Sequence, residues 1–97
     1  MALKIIWTLQ AESGLDNVIL YLQTEWTSKE ILKLELNIKQ VINQISTYPD
    51  LYPKSALCKN LRKALVDKNN YIIYKVNLDS EFIEIINFRS TKKMLKY

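Results

Sequence analysis

The apolar positions of the chain change period twice. Over "ALKIIW", residues 2–7, Leu3, Ile5 and Trp7 alternate with Lys4, and this β-branched, aromatic run predicts a strand. Thr8 then offers a hydroxyl N-cap. Ala11, Leu15, Val18, Ile19, Leu22 and Trp26 recur at helical spacing and predict a first amphipathic helix. Gly14 inside that pattern costs about 1 kcal/mol relative to Ala, a loss that a buried face of this size absorbs. Thr27-Ser28-Lys29-Glu30 has the spacing of a capping box, in which hydroxyl and carboxylate each reach the other residue's amide. It marks a second helix, with Ile31, Leu34, Ile38, Val41, Ile42 and Ile45 in one stripe. A stripe of this kind is core, and no chemistry is assigned to it. Joined at Trp26-Thr27-Ser28, the helices are expected to form an antiparallel hairpin.

Pro49 and Pro53 in "YPDLYPK" stop the second helix, and the period returns to two. Leu61–Val66, Tyr71–Asn77 and Phe82–Phe88 read as strands. "DKNN" and "LDS" between them are rich in turn formers, which predicts an antiparallel meander. The expected fold is α+β in the order β-α-α-β-β-β, with the helical hairpin on one face of a small, mostly antiparallel sheet. The first strand must join that sheet. The other face carries mixed residues such as Lys63, Lys75 and Glu84 and is expected to be open to a partner.

Length and composition narrow the function classes. Ninety-seven residues suggest a single domain, 1–97, with 48% hydrophobic and 25% charged content of ordinary globular type. No apolar run approaches the roughly 20 residues that cross a bilayer. "MALKIIWTLQ" has no charged region leading into a long apolar one, so no signal peptide is read and the cytoplasm is the expected compartment. Histidine is absent and Cys58 is the sole cysteine, so neither a Cys/His zinc site nor a Cys–His nucleophile can be built within one chain. Cys58 reads as a buried small hydrophobe. The net charge of +4 is uneven: residues 1–53 carry four Lys/Arg against six Asp/Glu, and residues 54–97 carry ten against four. The second half is the side that would face phosphate or an acidic protein.

"KIIWTLQAESGLDNVILYL", "YPDLYP", "LRKALVDKNNYIIYKV" and "FIEIINFRSTKK" together resemble the RelE/ParE superfamily of bacterial toxins from type II toxin–antitoxin systems. The likeness covers nearly the whole chain and lies in order, spacing and length more than in any one motif. It implies a small basic toxin neutralised by a cognate antitoxin, whose C-terminal segment would wrap the helices and the sheet, in a toxin–antitoxin hetero-oligomer. No metal or organic cofactor is implied, and no membrane. ParE-like toxins, associated with plasmid stabilization, inhibit DNA gyrase. RelE-like toxins enter the ribosomal A site and cut mRNA. The scaffold is shared, so fold alone does not choose between them.

The residues favour the ParE-like branch. Cutting RNA through its own 2′-OH needs a proton acceptor, a cation for the phosphate charge and an acid for the leaving oxygen. RelE-like enzymes are expected to place an arginine just before the central strand and another past the last strand. Here those points hold Tyr71 and Thr91, with Lys92 and Lys93 following. A phenol has no permanent charge, and lysine lacks the bidentate fork of arginine. If the chain is nevertheless a nuclease, Lys59, Arg62, Arg89 and Tyr97 are its catalytic candidates, with Lys54 as a further cation. For contact with target or antitoxin the candidates are Arg62, Lys63, Arg89, Lys92 and Lys93. Arg62 ranks first, against a structural ion pair with Asp67 or Glu84. Lys92, Lys93 and Lys96 also read as a solubilising tail. Tyr71 and Tyr74 should face opposite sides of the sheet, one in the core and the other on the surface.

Overall fold

One threonine ties three elements together. In the computed structural model, which describes residues 3–25, 28–54, 60–77 and 79–90, strand β1 (Lys4–Trp7) gives way at Thr8 to helix α1 (Leu9–Glu25). The Thr8 hydroxyl accepts the Ala11 amide at 3.1 Å, as the N-cap reading requires. It also donates to the Ile85 carbonyl at 2.8 Å, anchoring this corner to a strand 77 residues away.

Helix α2 (Ser28–Thr47) returns alongside α1. In its last turn the Ser46 hydroxyl donates to the Leu3 carbonyl at 2.9 Å, and the Ser46 carbonyl accepts the Leu3 amide at 3.0 Å. The end of α2 is therefore pinned beside the start of β1 and α1, and the pair is antiparallel, as predicted. Thr27 and Trp26 lie outside the described residues, and the capping box with them.

Strands β2 (Arg62–Asp67), β3 (Asn70–Asn77) and β4 (Phe82–Ser90) form the expected antiparallel meander. β1 joins it in parallel on β4, Lys4 opposite Phe82 through Trp7 opposite Ile85, giving the order β1-β4-β3-β2. β4 extends two residues past the predicted Phe88. Arg89 and Ser90 are held by their partners Tyr71 and Asn70 in the ladder, not by strand propensity of their own. A bulge at Ile86 resets the alternation, so Ile83, Ile85 and Phe88 all face the helices.

The core lies between the helical hairpin and one sheet face. Ala11, Val18, Leu34, Ile38, Val41 and Ile45 pack on Ala64, Ile72, Tyr74, Ile83, Ile85 and Phe88. Gly14 has a role its sequence context did not reveal. α1 crosses β4 so closely that a β-carbon there would collide with the Phe88 carbonyl oxygen. The glycine is the condition for this packing distance and not merely a tolerated cost. Among the described residues, no helix is long and apolar enough to cross a membrane.

Candidate functional site

The sheet face turned away from the helices is laid out in rows by the ladder. Leu65, Tyr71 and Arg89 stand side by side at one end, then Lys63, Ile73 and Asn87, then Lys75, Glu84 and Ile6, then Asn77, Phe82 and Lys4. Lys63, Lys75 and Arg89 are exposed, so the face is open, as the mixed sequence pattern implied. Its most organised contact is at the basic end. The Lys63 ammonium stands 4.4 Å from the centroid of the Tyr71 ring, within cation–π range. Arg89 is the direct neighbour of Tyr71 on the other side. Two cations thus flank one half-buried aromatic ring.

Arg62 is placed differently. It shares the helix-covered side of β2 with Ala64, opposite to Lys63. There its guanidinium donates to the Tyr52 carbonyl at 2.8 Å and pairs with the Asp50 carboxylate at 3.1 Å. The ion pair foreseen for Arg62 exists, but with Asp50 and not with Asp67 or Glu84. Asp67 instead accepts the Asn69 amide at 2.7 Å and the Asn70 side chain at 3.1 Å, and Glu84 sits on the far face opposite Lys75. Only 20% of the Arg62 side chain is exposed.

Arg62 belongs to a clasp around "YPDLYPK". The Tyr74 hydroxyl donates to the Pro49 carbonyl at 2.8 Å, and the Tyr52 hydroxyl donates to Gln44 at 2.8 Å. The Lys63 amide donates to the Pro53 carbonyl at 3.1 Å, and Lys54 bridges to Arg62, so this segment covers part of the outer edge of β2. Burial pushes the Tyr74 hydroxyl up to about 12, while the nearby Arg62 charge pulls the other way. A phenol so placed holds its proton and is a structural donor. Tyr71 is the surface member of the tyrosine pair and Tyr74 the core member, as their spacing required.

Of the sequence-predicted site residues, the sheet brings Lys63 and Arg89 to one face and sets Arg62 behind it. Lys59, Lys92, Lys93 and Tyr97 lie outside the described residues, as do Cys58 and Lys96. Two participants were missed by sequence reasoning. Asp50 and Tyr52 are the partners of Arg62, and their only signal was the rigid, proline-bracketed segment they share. Tyr71 was read as standing where another branch has an arginine, not as the centre of a cationic pair.

The model of the family described as ParE toxin of the type II toxin–antitoxin system parDE matches residues 5–95. Among solved structures, the chain is similar to the conserved hypothetical protein HP0894 from Helicobacter pylori. That match has 13% identity and a TM-score of 0.59, over 92% of this chain and 94% of that one. The chain is also similar to one in the E. coli DinJ–YafQ toxin–antitoxin complex. There the identity is 13% and the TM-score 0.60, over 99% of this chain and 100% of that one. At this identity the likeness is one of fold. No curated protein matches the sequence.

Proposed function

The chain belongs to the ParE toxin family of type II toxin–antitoxin systems, and from that premise we propose that it arrests growth by binding DNA gyrase through the basic outer face of its sheet. A cognate antitoxin neutralises it in a toxin–antitoxin hetero-oligomer. The observation that carries the reading is the division of labour among the arginines and lysines of the sheet. Arg62, ranked first by sequence for either role and a candidate under the nuclease reading, is committed to Asp50 and Tyr52. Lys63 and Arg89 stand on an open face, as a binding inhibitor needs. Binding asks for a complementary surface, whereas strand cleavage asks for a proton acceptor and donor in register with the phosphate. Tyr74, a phenol near Arg62, keeps its proton near neutral pH and donates it to the Pro49 carbonyl, so it is not placed as a proton acceptor. The presence of the E. coli neighbour in a toxin–antitoxin complex supports the antitoxin partner.

Purified protein added to a gyrase supercoiling reaction, and separately to ribosomes programmed with mRNA, tests the assignment. Loss of supercoiling with intact mRNA is the expected result. Codon-positioned cuts in the mRNA with gyrase unaffected would replace it with a ribosome-dependent nuclease. The neighbouring reading frame is a cheaper check, since a short partner gene is expected beside this one.

A further inference from the structure

We propose that the outer face of the helical hairpin, centred on Leu20, Leu32 and Leu36, is a docking surface for a second copy of this chain. The surface lies on the side of the molecule away from the basic sheet face, and its use does not depend on the gyrase reading.

The core uses one stripe of each helix. Along α1 that stripe includes Val18 and the partly buried Leu22, and along α2 it runs through Leu34 and Ile38. A residue two positions away lies a little over half a turn round, on the opposite face. Leu20 is two positions from both Val18 and Leu22, Leu32 is two from Leu34, and Leu36 is two from both Leu34 and Ile38. Their exposures are 59, 58 and 58%. Leu32 and Leu36 are one turn apart, and Leu20 and Leu32 both stand near the hairpin turn, since α1 ends at Glu25 and α2 begins at Ser28. A single exposed leucine is ordinary. Three on the outside of one hairpin form a patch that packing within the chain does not explain.

Charge selects the occupant. α1 carries Glu12, Asp16 and Glu25 and no lysine or arginine, whereas Lys29 and Lys39 flank the two leucines of α2 at a spacing of three. An acidic or a basic peptide would match one helix and oppose the other. A second copy matches both. The helices of one copy are antiparallel, so a two-fold axis along the hairpin lays α1 of one molecule antiparallel over α2 of the other. Leu20 of one copy then meets Leu32 of the other. Asp16, one turn from Leu20, comes level with Leu36 and within reach of Lys39, and symmetry makes each contact twice. The product is a four-helix layer with an apolar centre and opposite charges at its flanks. Two helices of about 25 and 30 Å, each about 10 Å wide, give a footprint on the order of 550 Å². This is below the roughly 800 Å² per partner of a standard stable interface, so a reversible dimer is expected. Both basic sheet faces remain on its outside.

Sedimentation equilibrium of the purified full chain over a range of concentrations is the test. The mass is expected to rise from 11.4 kDa toward twice that value. Leu32→Gln with Leu36→Gln should abolish the rise while the urea midpoint stays close to the parent's, because both side chains are exposed. Asp16→Lys alone and Lys39→Asp alone should each weaken the dimer about tenfold, the combined weight of two symmetry-related exposed pairs. The two changes together should restore it, which a folding defect would not do. Should the leucine variant lose its fold, this charge exchange carries the test. A monomer at every concentration, an unchanged dimer in a folded leucine variant, or a double exchange that fails to restore association would each overturn the proposal. A monomeric chain whose leucine variant loses its cognate antitoxin would assign the face to the antitoxin instead. The supercoiling assay stands apart from these outcomes. Gyrase inhibited by a monomeric chain removes the dimer and keeps the gyrase target, and a dimer that leaves gyrase active does the reverse.

Discussion

The Phe88 carbonyl oxygen occupies the space where a β-carbon on Gly14 would stand. The obstacle is backbone, so no side-chain rotation can clear it. On an exposed helix Gly→Ala gains about 1 kcal/mol. Here Gly14→Ala should instead destabilise the protein by about 1–3 kcal/mol, the usual range for overpacking a filled core, as read from urea denaturation. A stabilised variant would show that α1 can lift away from β4 without loss.

Arg62→Ala should act on stability first. The guanidinium's bond to the Tyr52 carbonyl is a charged hydrogen bond, worth about 1.5–3 kcal/mol. The pair with Asp50 adds at most about 1 kcal/mol, because the Asp50 side chain is 87% exposed. Arg62→Ala is therefore expected to cost about 2 kcal/mol and Asp50→Ala well under half of that. Equal losses in the two variants would place the weight on the ion pair instead.

Tyr74 gives the fold an alkaline limit. Burial holds its hydroxyl at about 12 in the folded chain, against 10.0 for the ordinary phenol. A group with a raised folded value contributes fully below the unfolded value, and its contribution is lost as pH rises through the folded one. Stability should thus fall between pH 10 and pH 12. Tyr74→Phe, which costs about 1 kcal/mol for the lost bond to Pro49 at neutral pH, should show a shallower fall over the same window. Parallel curves for the two proteins would refute this.

Glu81 adopts a left-handed backbone with φ of 58°. Its carbonyl accepts the Lys4 amide at 3.3 Å, so the conformation helps seat β1. The strain is about 1–2 kcal/mol for a non-glycine residue, and glycine loses about 0.4–1 kcal/mol through its freer unfolded chain. Glu81→Gly should raise the midpoint slightly, whereas Glu81→Val should lower it clearly.

Much of this architecture could be read from periodicity. The α2 stripe from Leu34 to Ile45, the Thr8 cap and the three-strand meander are local patterns, and each has the physical cause its sequence suggested. The parallel partner of β1 was not legible, because a four-residue strand carries no mark of the neighbour it will choose. Nor was the purpose of Gly14, which depends on a backbone 74 positions away. At the candidate site, the alternation rule separated Tyr71 from Tyr74. It also puts Arg62 and Lys63 on opposite faces, although their adjacency invited treating them as one patch. What sequence could not supply was Asp50, since an ion pair between a loop and a strand edge leaves no spacing to detect.

The pairing of Lys4–Trp7 with Phe82–Ile85 also sets a timetable for synthesis. The first of these strands is translated 78 residues ahead of its partner, so β1 has no place in the sheet until β4 has been made. A product cut short before Phe82 therefore lacks both the strand that seats β1 and the Arg89 that it carries.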